Sequence, residues 1–236
     1  MRYLALLVTL SFAISAYGRV QVNHLVAPGP GSTLPVVLVK TMKPAHLTVG
    51  QPITAQLMQR VLVSINSYLP AKVKVIGHVV GCGPSSFSML FTQLRWKGET
   101  VPIHLRLVAA ASSFDVFQSG MPVAETDRST SDPADWTTRQ IGGDLIYRSA
   151  GSGKVYDQYS QPVGYATLHG VYTASWPGGG PPRAMGPFST TATGLHGLPG
   201  FSIASAGDAG TPITFAINRP HWQIASGTAL LLEVVD

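Results

Sequence analysis

The chain has 236 residues and a formal net charge of +5, with 45% hydrophobic but only 11% charged residues. That balance excludes global disorder and supplies a core for one substantial domain or two small ones. Its basic residues are scattered (Lys40, Lys43, Arg60, Lys72, Lys74, Arg95, Lys97, Arg106), so no basic run marks a nucleic-acid partner, and the single cysteine, Cys82, excludes an internal disulfide.

In chain order, the first segment has the three parts of a secretory signal. Arg2 supplies the positive start, residues 4–14 form an apolar stretch, and Ala16-Tyr17-Gly18 places small residues where a signal peptidase reads. Cleavage is expected after Gly18, with Ser15 as the second choice. The apolar stretch falls short of the ~20 residues a membrane-crossing helix needs, so the mature protein is expected to be peripheral to a membrane at most. Residues 19–35 contain Pro28-Gly29-Pro30-Gly31-Ser32 and read as an extended lead-in.

Strand signals follow. Val36 to Val39 is a short apolar strand, and Thr48-Val49-Gly50-Gln51-Pro52 is a turn. Ile53, Ala55, Leu57 and Val61 then alternate with Thr54, Gln56, Met58 and Arg60, the period of a half-buried antiparallel strand. Val73, Val75, Gly77 and Val79 restart the alternation, with Gly77 expected where the strand bends or another backbone passes close. Phe87, Met89 and Phe91 form the next inward face, and the phase shift to Leu94 and Trp96 predicts a bulge near Gln93. Lys97-Gly98-Glu99 is a tight turn into Val101, Ile103, Leu105 and Leu107, so residues 86–109 read as a hairpin with Pro102 at a strand start or on an edge.

Residues 110–193 have little periodicity apart from short strand signals at 143–148 and 163–166, and are expected to form a long irregular insertion. Ile213, Phe215 and Ile217, then Leu230, Leu232 and Val234 after the Ser226-Gly227-Thr228 turn, read as closing strands. The expected fold is therefore mostly β: a single β-barrel or sandwich-like domain over residues 36–236, interrupted by the insertion.

Catalytic patterns are not visible. There is no G-x-S-x-G elbow, and Gly151-Ser152-Gly153-Lys154 lacks the leading glycine and following hydroxyl of a phosphate loop. None of the seven histidines pairs as H-x-H or H-x-x-x-H, and the few acids are dispersed. Cys82 reads as a half-buried free thiol. No enzyme activity, cofactor or metal is expected. Aromatic residues are dense in the insertion, and Trp136, Tyr147 and Trp176 are the candidate contacts for a protein partner or a glycan.

The run Val49-Gly50-Gln51-Pro52-Ile53-Thr54-Ala55-Gln56-Leu57, then Tyr68-Leu69-Pro70 and Ile76-Gly77-His78-Val79-Val80, resembles the β-barrel domain of the channel-scaffold proteins of type IV secretion and conjugation systems. Phe91-Thr92-Gln93-Leu94, Val101-Pro102-Ile103-His104-Leu105, the Gly194 to Phe201 stretch and the strand after Ala225-Ser226-Gly227-Thr228 match in order. Together with Gln140-Ile141-Gly142-Gly143-Asp144 the pattern is still more similar to uncharacterised bacterial exported proteins sharing that barrel. The resemblance covers about residues 36–109 and 194–236. Ala71 stands where the family has glycine after the proline, and the family's membrane helix, proline-rich spacer and pore-lining helical hairpin have no counterpart here.

The resemblance implies a barrel module used alone: an exported, scaffold-like envelope protein acting by protein–protein assembly. Its expected place is the periplasm, the outer-membrane periphery or outside the cell. Envelope proteins or cell-wall polymer are the expected partners, nucleic acid is not, and a homo-oligomer is compatible. The alternative is a carbohydrate- or cell-wall-binding module using the insertion's aromatics.

Overall fold

A computed structural model describes residues 24–64, 67–121, 138–143, 145–148, 153–157, 159–167, 170–173 and 182–236. The expected signal segment lies outside the described residues. The strands are β1 (Thr33–Leu38), β2 (Pro52–Leu57), β3 (Val61–Ser64), β4 (Ser67–Leu69), β5 (Lys74–Cys82), β6 (Ser86–Trp96), β7 (Glu99–Pro102) and β8 (His104–Ala111), followed by a helix, α1 (Ser113–Ser119). Then come β9 (Thr138–Arg139), β10 (Leu145–Arg148), β11 (Lys154–Tyr156), β12 (Pro162–Thr167), β13 (Gly170–Thr173) and β14 (Arg183–Ala184). The chain closes with β15 (Gly194–His196), β16 (Phe201–Ala206), β17 (Ile213–Ile217) and β18 (Ala229–Val235). The fold is mostly β, as expected.

The main sheet has ten strands in the order β15-β8-β18-β1-β2-β5-β6-β17-β16, with β7 paired to β6. It folds over on itself, bringing β8 near β6 and β16, but β15 and β16 share no ladder and the sheet does not close into a barrel. Of the two β architectures the alternation allows, the protein takes the sandwich-like one. The inner face carries the residues the alternation placed inward: Ile53, Ala55 and Leu57 of β2, Val75 and Val79 of β5, Phe87, Met89 and Phe91 of β6, and Leu230, Leu232 and Val234 of β18, all buried. Trp222 fills the far end, 5.5 Å from the Phe87 ring and edge-on to Phe201.

Several local predictions hold for identifiable reasons. Thr92 is the extra residue of a bulge, because Ile76 faces Gln93 while Gly77 faces Phe91. Lys97 and Gly98 both have positive φ, 47° and 89°, as a two-residue hairpin turn matching strand twist requires. Other expectations need correction. β1 begins at Thr33 rather than Val36, because Thr33 already pairs with Glu233 of β18. β7 ends at Pro102, with the Ile103 N–H still donating to Thr92 O at 3.0 Å, and β8 then leaves the hairpin because its ladder is with β18. The run expected from Ile53 through Val61 breaks after Leu57, and Val61 belongs to a separate two-stranded ribbon with β4.

Residues 110–193 contain the two short strands expected there, as β10 and β12. Among the described residues they belong to a six-stranded antiparallel sheet, β14-β13-β12-β11-β10-β9. It has a small core of its own in Ile146, Val155 and Val171. The insertion covers the outer face of β8 and β18, where Ala109, Ala111, Ala229 and Leu231 pack against Ile141, Met185, Phe188 and Ala192. This explains why β18 is apolar on both faces.

Candidate functional site

Two surface features stand out, one charged and one apolar. The charged one lies where the insertion meets the outer face of the main sheet. β8 and β18 run antiparallel there, and the register shifts between Leu231 and Leu232, leaving Val108 as the extra residue of a bulge. The bulge reverses the phase of β8: Leu107 lies in the inner core, whereas Ala109 faces the insertion. Bulges re-aim side chains in this way. Arg106 and Glu233, paired across the strands, point outward together.

Glu233 bridges two arginines. Its Oε1 accepts from Arg106 Nη2 and its Oε2 accepts from Arg183 Nη2, each at 3.0 Å. Arg106 belongs to the main sheet and Arg183 to β14, so the carboxylate ties the two sheets together. Arg106 Nη1 also lies 3.5 Å from the exposed Asp208 carboxylate. The hydrogen bond and charge of Glu233, reinforced by Asp208, raise the Arg106 pKa above its ordinary value. Beside this trio opens a cleft of about 340 Å³. Leu107, Val108, Met185, Ala192 and Leu231 form its apolar lining, with Thr190, Thr191 and Thr193 along one side. The threonine segment is anchored by Ser189, whose N–H donates to Ile141 O and whose hydroxyl donates to Gly142 O, both at 2.9 Å. A second dent, between His24, Tyr68 and Trp96, measures only about 10 Å³, room for a single water.

The apolar feature is α1. Ser112 caps it by accepting from the Asp115 N–H at 3.1 Å, and Val116 packs down onto the cluster beneath the insertion. Phe114 and Phe117 instead stand 66% and 63% exposed, and Met121, just past the helix, is 48% exposed. Phe114 and Phe117, three residues apart, lie on one side of the helix. A seven-residue helix has little stability of its own, so it is held by its cap and Val116 while displaying its largest apolar groups to solvent.

Of the three sequence-predicted contact residues, one lies within the described residues. Trp136 and Trp176 lie outside the described residues, and Tyr147 sits on β10 opposite Tyr156. Cys82, half-buried at the end of β5, has its thiol pKa raised by burial. Among the described residues no three His, Cys, Asp or Glu side chains converge as a metal site would need. Sequence reasoning missed both surface features. Glu233, the lone acid in an apolar strand, and the Ser112-x-x-Asp115 cap ahead of Phe114 and Phe117 were the available signals. The chain matches no protein-family model, no curated protein and no solved structure.

Proposed function

We propose that this protein is a non-enzymatic, exported envelope module that works by protein–protein assembly, a scaffold-like subunit built on a β-sandwich. The observation that carries the reading is the exposed pair Phe114 and Phe117 on α1, with the exposed Met121 just past its end. Aromatic residues and methionine are enriched in the cores of protein interfaces, and covering such a group releases apolar surface from water at roughly 25 cal/mol per Å². The helix lies within residues 110–193, the region from which the specific contacts were expected. The motif resemblance to secretion-channel scaffolds points to the same class of role.

The test is the native mass of the protein gently extracted from envelope fractions of its host. A discrete large assembly that falls to a monomer in a Phe114→Ser, Phe117→Ser variant with unchanged thermal unfolding is the expected result. A monomer before substitution overturns the scaffold reading. The alternative, a cell-wall-binding module, predicts retention on peptidoglycan that is lost with Trp136→Ala or Trp176→Ala.

A further inference from the structure

The cleft between β8, β18, β14 and residues 190–193 has the properties of a small-ligand site, separate from the exposed pair on helix α1. Its volume of about 340 Å³ falls at the lower end of the range for small-ligand pockets, and it lies at a junction of two packed units, where such pockets tend to form. Of the residues lining it, Leu107, Met185, Ala192 and Leu231 are buried and apolar, while Arg106, Arg183 and Glu233 supply charge.

The hydrogen-bonding capacity of this charged group is unevenly used. Glu233 divides its two oxygens between two guanidinium groups. Arg183 commits Nη2 to Glu233 and has no other side-chain partner among the described residues; its Nε is buried and unpaired, as is that of Arg106. Arg183, 38% exposed, therefore keeps donors for an incoming acceptor. Among the described residues Asp208 pairs with Arg106 alone and does not line the cleft.

We infer that the cleft binds a carboxylate carried on a small apolar group, with Arg183 receiving the carboxylate and Val108, Met185 and Leu231 receiving the apolar part. A planar carboxylate matches the guanidinium fork. A phosphate would bring a second negative charge beside Glu233. A neutral sugar would lack the aromatic platform on which sugar rings stack, since among the described residues no aromatic side chain lines the cleft. The same chemistry occurs at the C-terminus of a peptide and in a free short-chain acid.

The experiment titrates the full-length purified protein with acetyl-leucine, with its uncharged amide, with hexanoate and with a tetrapeptide ending in leucine, following backbone amide NMR shifts at low salt. Saturable shifts at residues 106–108, 183–185 and 231–233 with acetyl-leucine, at least tenfold weaker with the amide, are expected. Tighter binding of the tetrapeptide than of hexanoate assigns a peptide terminus as the source, and the reverse order a free acid. Arg183→Met should weaken acetyl-leucine binding at least tenfold, and Glu233→Gln should strengthen it a few-fold by removing the competing carboxylate. Val108→Phe, which fills the cleft without touching a charge, should abolish binding, so a loss does not rest on one variant's folding. Equal binding of acid and amide, no saturable shift with any acid, or full binding by a folded Arg183→Met protein would overturn the proposal.

Discussion

Gly77 has no room for a side chain. A Cβ built there would lie 2.3 Å from the Leu90 carbonyl oxygen on the neighbouring strand, at the step where the Thr92 bulge shifts the register. Gly77→Ala must push β5 and β6 apart, and a destabilisation of about 1–3 kcal/mol in urea unfolding is expected. Tyr172 is constrained differently. It is 2% exposed, its hydroxyl donates to the Arg60 carbonyl at 2.7 Å, and burial, with Tyr68 and Tyr165 adding to it, pushes its pKa far above the usual phenol value. In the unfolded chain it ionises near ~10. Above that pH the unfolded state has lost the proton while the folded state keeps it, so stability falls as pH rises, by up to about 1.4 kcal/mol per pH unit. Tyr172→Phe should flatten this alkaline slope, measured as urea midpoint against pH; an unchanged slope would count against the assignment.

Among the elements, β18 has the most central position for its length. It is the last strand in sequence, yet it lies between β1 and β8, and its Leu230 and Leu232 face the inner core while Leu231 faces the insertion. Leu232 is fully buried, and Leu232→Ala should cost about 2–5 kcal/mol. Removing residues 229–236 leaves β1 and β8 unpaired along facing edges and should abolish cooperative thermal unfolding; a surviving sharp transition would refute the central role. α1 presents the opposite case. Its exposed phenylalanines contribute little to folding, which is why the Phe114→Ser, Phe117→Ser variant serves to separate assembly from stability.

At the scale of the whole molecule, a few long-range polar clamps join the main sheet to the insertion. Gln59, 2% exposed, makes two of them, its Nε2 donating to Val171 O at 3.0 Å and its Oε1 accepting from Gly186 N–H at 2.8 Å. Thr33 Oγ1 donates to Ala184 O, and Glu233 joins Arg106 to Arg183. Gln59→Ala leaves a buried donor and a buried acceptor unpaired, and about 2–3 kcal/mol should be lost. The loss should appear first as faster amide exchange in β13 and β14, because those strands are held by the clamp.

By itself the sequence determined the β class, the inward residues of β2, β5, β6, β17 and β18, the Lys97-Gly98 turn and a bulge near Gln93. All of these follow from a period-two pattern and local turn chemistry, which neighbouring residues decide among themselves. The tertiary structure alone decided that β8 leaves the β6–β7 hairpin for β18, that the sheet stays open, and that the insertion carries a second sheet. Pairing partners depend on contacts between segments far apart in the chain, and many partners satisfy the same alternation. The cleft belongs to this second group: Arg106, Arg183 and Glu233 lie in three distant segments, and only the folding of the insertion over β8 and β18 makes one carboxylate serve two guanidinium groups.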